Sequence, residues 1–169
     1  MKTLKKGIFN ISDSTISWGM AFVGLAAVAA AGVGLYVKVY STSAVTTMNT
    51  ILNESKSLRV STGYGNGDLI PALIRSGSIP KDVSIIGDKI YNAAGGQITL
   101  VGNGIGIIAT TNGVKGTDCM KLATTLSNGD IASTKINGST AIAGEISPAQ
   151  AAAACVAGKE NTITFTTNM

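Results

Sequence analysis

The 24 positions from Ser14 to Val37, STISWGMAFVGLAAVAAAGVGLYV, carry no charge, and no other feature restricts the possible folds of this chain as much. As a helix the stretch would extend roughly 36 Å, enough to cross a hydrocarbon core of about 30 Å. A helix can do this because it satisfies its own backbone hydrogen bonds where water is absent. Its composition is unlike that of a lone lipid-facing anchor, which would favour Leu, Ile and Phe. Gly19, Gly24, Gly32 and Gly34 alternate with Ala21, Ala26, Ala27 and the run Ala29 to Ala31. Small residues let helix backbones approach closely, so the stretch reads as a surface made to pack on other helices.

Beyond Lys38 the pattern becomes amphipathic. Ala44, Val45, Met48, Ile51, Leu52, Ser55 and Leu58 recur at helical spacing, with Asn49, Asn53, Glu54, Lys56 and Arg59 on other faces. Neither proline nor glycine interrupts from Leu35 to Thr62, which predicts one helix running from the apolar stretch to the glycine cluster Gly63-Tyr64-Gly65-Asn66-Gly67.

Short elements follow. Asp68 is placed to cap a helix over Leu69 to Ser76 that ends at Gly77. Strands are predicted at Val83–Ile86, Lys89–Tyr91, Gln97–Val101, Gly104–Ala109, Ile131–Ile136 and Asn161–Thr167, several of them alternating apolar and polar residues. Thr117 or Asp118 is expected to cap a helix with Cys119, Leu122, Ala123 and Leu126 on one face. Ser147-Pro148-Ala149-Gln150 combines a hydroxyl cap, a first-turn proline and a glutamine three residues on, and its helix is expected to end near Gly158. Residues 63–169 therefore read as an α+β domain with an antiparallel sheet. Aromatic residues are only 5% of the chain against 45% hydrophobic, so its core must be aliphatic.

The excluded functions are as informative. Of a net charge of +4, three positives (Lys2, Lys5, Lys6) lie ahead of Gly7, leaving a near-neutral folded part and no argument for specific nucleic-acid binding. The chain has no histidine, which removes the commonest general base and the commonest metal ligand. Asp68, Asp82, Asp88, Asp118 and Asp130 are isolated, and no serine or threonine has a histidine to activate it. Gly102-x-Gly104-x-Gly106 lacks the spacing and ending of a phosphate loop and reads as a hairpin. No enzyme activity and no cofactor are expected. The two cysteines, Cys119 and Cys155, lie in no metal-ligand spacing; behind an export-type N-terminus a disulfide is the first reading. The opening MKTLKKG and the length of the apolar run favour a signal anchor over a cleaved secretory signal peptide, with the lysines kept in the cytoplasm.

These features together resemble the type IVb pilins, most of all the bundle-forming and conjugative thin-pilus branches. The more specific likeness is C-terminal: KGTDCMKLATTL, then EISPAQAAAACVAGKENTITF, with a late cysteine in an alanine-rich helix and a final strand. The IPALIRSGSIP segment, the GGQITL strand and the long N-terminal helix also fit. The resemblance implies a type IV pilin fold, with a leader-like segment at 1–7, a long helix over 8–62 whose transmembrane half is 14–37, and a globular head over 63–169. It implies that Cys119 and Cys155 bound a C-terminal disulfide region. The expected role is a major pilin of a Gram-negative bacterium. It would wait in the inner membrane, meet a prepilin peptidase and the pilus assembly machinery, and polymerise with copies of itself into an extracellular fimbrium. Gly24, Ala27 and Gly32 then belong to the assembly surface. A minor pilin or pseudopilin, and a membrane-anchored periplasmic binding module, are the alternative readings.

The N-terminus departs from the family pattern. Lys5-Lys6-Gly7 followed by Ile8 resembles the leader cleavage site, but the fifth residue after that cut is Ser12, where the family usually has Glu. Asp13, one residue later, is the nearest carboxylate and the candidate for pairing with a neighbouring N-terminal amine during assembly. A cut after Gly19 would put Met20 first and Gly24 fifth, with no acid; a chain left uncut is the remaining alternative.

The small-residue surface generates a direct expectation. Gly24→Leu and Ala27→Leu keep the segment apolar, so membrane insertion should persist in fractionated cells. The added bulk clashes where helices meet, and filament yield should collapse; normal yield from both variants would refute the packing role.

Overall fold

The computed structural model describes residues 44–158 and 160–168. The chain divides into two units, Met1–Val39 and Tyr40–Met169, and the architecture below is that of the second. Gly7, Ile8, Asp13, Gly24, Ala27, Gly32 and the whole apolar stretch lie outside the described residues. Among those described, no helix is long and apolar enough to cross a membrane.

Residues 44–55 form helix α1. Its inner face is the one the spacing predicts: Met48, Ile51, Leu52 and Ser55 are buried, and Ala44, Val45 and Leu58 pack partly against them. The α-helix stops well before the glycine cluster, giving way to a 3-10 turn, Lys56–Leu58. Serine chemistry accounts for the early stop. The hydroxyls of Ser55 and Ser57 donate to the carbonyls of Leu52 and Glu54, at 2.6 and 2.7 Å, and so compete for the acceptors of the helix ladder.

Helix α2, Ile70–Ser76, has proline in its first turn and Gly77 in the left-handed conformation (φ 69°) at its end. The Asp68 carboxylate accepts from the Ile70 N–H at 2.9 Å, so it tethers the first turn from one residue outside the cap. Seven strands then build one antiparallel sheet: β1 (Ser84–Ile86), β2 (Lys89–Tyr91), β3 (Gln97–Asn103), β4 (Gly106–Val114), β5 (Ile131–Ile136), β6 (Ile142–Ala143) and β7 (Asn161–Thr167). Their spatial order is β1-β2-β3-β4-β7-β5-β6, so the last strand lies between β4 and β5. Helix α3, Gly116–Leu126, connects β4 to β5, and helix α4, Pro148–Ala154, precedes β7.

Several boundaries differ from those expected. β4 begins at Gly106 rather than Gly104 and runs to Val114 rather than Ala109. Its inward positions pass from Ala109 to buried Thr111, and a register shift before Val114 lets Gly113 sit within the strand. α3 starts at Gly116 with Lys115 at the cap position, making no side-chain cap bond; Thr117 and Asp118 occupy its first turn instead. The buried face of α3 is Cys119, Leu122, Ala123 and Leu126, as the spacing predicts. α4 has the full capping box: the Gln150 N–H donates to Ser147 Oγ at 3.3 Å and the Ser147 N–H to Gln150 Oε1 at 3.0 Å. It ends at Ala154, before Gly158, because Cys155 is already extended (φ −84°, ψ 123°).

The core lies between the sheet and helices α1, α2 and α3. Ile98, Leu100, Ile107, Ile163 and Phe165 supply it from the strands; Ile51, Leu73 and Leu122 supply it from the helices. The single large aromatic in this set is Phe165, with no exposed surface, on β7, an interior strand between β4 and β5. Phe165→Ala should therefore cost about 3–5 kcal/mol, read as a lower urea midpoint with an unchanged slope. A loss below about 1 kcal/mol would mean that the strand is not interior.

Candidate functional site

A disulfide and a hydrogen-bond network converge on one loop, 155–158, between α4 and β7. Cys155 is bonded to Cys119 on the buried face of α3, with Cα atoms 5.9 Å apart and a sequence separation of 36. The pairing raised by the cysteine count is thus present, and the loop it closes contains β5, β6 and α4. Cys119 is fully buried and Cys155 half-buried.

A second clamp comes from Asn161, the first residue of β7, which has no exposed surface. Its amide donates to the carbonyls of Val114 and Val156, at 3.0 and 2.9 Å. Its oxygen accepts from the Val156 N–H at 2.7 Å and from the Asn137 amide at 2.8 Å. Asn137 also donates to the Ala154 carbonyl (3.0 Å) and accepts from the Thr162 N–H (2.8 Å). It does so from a left-handed backbone, φ 51°, that asparagine tolerates better than most residues. Gly116 completes the loop's seat by donating its N–H to the Gly158 carbonyl at 2.8 Å. A Cβ at Gly116 would lie 2.7 Å from the Val156 carbonyl oxygen, so only glycine lets α3 start this close to the loop. In sequence Asn161 looked like the polar start of an alternating strand; only the tertiary fold surrounds it with four partners.

Among the described residues, no three His, Cys, Asp or Glu side chains are placed to hold a metal ion. Asp118 is the one acid among the described residues with a buried, unpartnered oxygen, Oδ1, in a cavity of about 70 Å³ shared with Ala44, Met48, Thr111 and Leu122. The Thr47 hydroxyl at that cavity donates to the Asp82 carboxylate. The glycine run 102–106 is the β3–β4 hairpin. A Cβ at Gly102 would meet the carbonyl oxygens of Gly65 and Tyr64 at 2.7 and 2.8 Å, and Gly104 turns with φ 64°. Backbone approach, not phosphate binding, sets this spacing.

At the other end of the sheet a groove of about 520 Å³ lies between the end of α1 and the loop after α3. Leu52, Ile107, Leu126 and Ile131 line its floor; Arg59, Tyr64 and Asp130 stand at its edges. Lys56 closes one side by donating to Asp130 at 2.6 Å. Both groups are about half exposed, so this pair contributes little stability.

Residues 39–168 match the family model described as PilS N terminal. Among solved structures, the chain is similar to the crystal structure of a type IVb pilin from Salmonella typhi, with a TM-score of 0.61 and 23% sequence identity. That similarity covers 78% of this chain and 99% of the other. No curated protein matches. The α+β architecture is the type IV pilin fold expected from the resemblance.

The two clamps on the loop make separable predictions. The denatured, unreduced protein should contain no thiol that reacts with a labelling reagent. Replacing both cysteines by serine should cost about 3–4 kcal/mol, the chain-entropy value for a loop of this size. Asn161→Ala orphans several buried backbone groups and should cost roughly 2–4 kcal/mol with the disulfide intact. Equal urea midpoints for Asn161→Ala and the parent would show that the asparagine network holds nothing.

Proposed function

This chain belongs to the PilS N-terminal family of type IV pilins, and on that premise we propose that it is the major structural subunit of a type IVb pilus. The observation that carries this reading is the family match over residues 39–168, which takes in the entire described head. The residues agree with it from the bottom up. The head has a closed aliphatic core and a disulfide but no assembled reaction centre among its described residues, which suits a subunit whose work is mechanical.

The apolar stretch 14–37 holds the subunit in the inner membrane until assembly, with residues 1–7 as a leader removed between Gly7 and Ile8 by a prepilin peptidase. Extraction from lipid is favourable only when other helices replace the lipid. The small residues Gly24, Ala27 and Gly32 supply the close approach that this exchange needs. Helices then form the filament core, and the α+β heads form an extracellular shell that serves conjugation, adhesion or aggregation. Asp13 is the only acid between the cut and Glu54, and it pairs with the N-terminal amine of a neighbour during docking. Burying that charge unpaired would cost several kcal/mol.

Sheared surface material from expressing cells should contain filaments that an antibody to this chain decorates in negative stain. A membrane-bound protein with no filaments would instead favour the anchored binding module. Asp13→Asn keeps shape and capping ability but removes the charge. It should insert, be processed to Ile8 by mass spectrometry, and polymerise poorly. Parental filament yield from this variant would reduce Asp13 to a helix cap.

A further inference from the structure

The two ends of the head carry unlike surfaces. At one end the loop 155–158 presents Val156, 63% exposed, although its own backbone is held on both sides by Asn161 and its neighbour Cys155 is tied to α3. Met120 adds apolar surface at this end, and it lines a depression together with Lys115, Cys155, Ala157 and Gly158. An apolar side chain displayed on so constrained a loop loses little conformational entropy on docking. Glu160, exposed and adjacent to Asn161, is an acid at this end, which also carries the half-buried Asp118 and the exposed Lys115.

The opposite end holds the groove floored by Leu52, Ile107, Leu126 and Ile131, with Arg59 at its edge. Arg59 makes no ion pair among the described residues. Chain direction fixes the two surfaces at opposite ends: α3 starts against Val156 at Gly116 and ends in the groove at Leu126. β7 likewise starts at Asn161 and ends in the groove at Thr167, roughly 20 Å away at about 3.3 Å per residue. The loop therefore cannot reach the groove of its own chain.

We infer that the groove takes the Val156 loop of a second copy of this chain, with Glu160 of one copy paired to Arg59 of the next. Two different, complementary patches at opposite ends make a heterologous contact, which propagates as a ring or helix instead of closing as a two-fold dimer. The two charges are opposite in sign: Arg59 makes no ion pair among the described residues, and Glu160 offers an exposed carboxylate next to Asn161. This inference rests on the pilin reading and names the head-to-head contact within the filament. It also gives the disulfide and Asn161 a second role, the presentation of Val156.

Charge reversal tests the contact. Arg59→Glu and Glu160→Arg should each lower filament yield in sheared material by about tenfold, and the double variant should return to near the parental level. Val156→Asn should also lower the yield, while Val156→Ile preserves it. All four substitutions lie at three exposed positions, and the absence of reactive thiols in unpolymerised subunits reports an intact head. Parental yield from the single reversals or from Val156→Asn would overturn the contact, as would a double variant no better than the singles. Absence of filaments from the parent itself would instead overturn the pilin reading.

Discussion

The head depends on the pairing of its last strand with two strands made much earlier. β7 bonds β4 on one side, from Ile108↔Thr166 to Val114↔Asn161, and β5 on the other, from Ile131↔Thr167 to Ile136↔Ile163. β4 and β5 are both antiparallel to β7, so they run parallel to each other. They can be connected only by a crossover, which α3 provides. Until β7 inserts, the sheet is two separate pieces, and Ile163 and Phe165 are missing from the centre of the core. Such non-local pairing completes late and slowly in folding. The disulfide spans the same gap in sequence, since Cys119 lies on the crossover helix and Cys155 just before the inserted strand.

Insertion of β7 also places Asn161, and the polar chemistry at this end follows from that. A buried asparagine amide is expensive unless each of its hydrogen-bonding atoms finds a partner. Here the partners are backbone groups of Val114 and Val156 and the side chain of Asn137. The side chain thus joins β4, the turn after β5 and the loop 155–158. The disulfide holds that loop covalently and the asparagine holds it by geometry, so each limits the freedom the other leaves.

How much of this was legible in the sequence depended on whether a local rule decided the outcome. The capping box at Ser147 and the buried face of α3 were readable because both are set within a few residues. β5 and β7 appear at their expected bounds, Ile131–Ile136 and Asn161–Thr167, because alternating patterns met no competing signal. The length of β4 was not readable. Thr111 is buried through the sheet and not through its own hydrophobicity, and Gly113 looks like a break until the register shift is seen. The end of α4 was misplaced because the cysteine that fits an alanine-rich helix is drawn out of it by its partner on α3. The disulfide was suggested by a count of two cysteines, whereas the asparagine clamp and the groove had no local signature at all.

The distribution of apolar surface separates what the head needs for itself from what it offers. Its core is filled by short aliphatic side chains from every long element, and nothing in it requires Val60, Ile105 or Val156, each more than 60% exposed. A scattered exposed apolar residue is ordinary and carries no meaning alone. Ile86, 66% exposed, lies on the edge strand β1, whereas Val60, Ile105 and Val156 sit on constrained turns and loops. Val60 exchanges two backbone hydrogen bonds with Gly63 (2.9 and 3.0 Å), Ile105 follows the hairpin glycine Gly104, and Val156 is gripped through both its N–H and its carbonyl. Flexible surface apolar groups can fold back and bury themselves, while rigidly displayed ones cannot. A head built in this way displays fixed apolar groups at both ends of the sheet, in addition to those along its β1 edge.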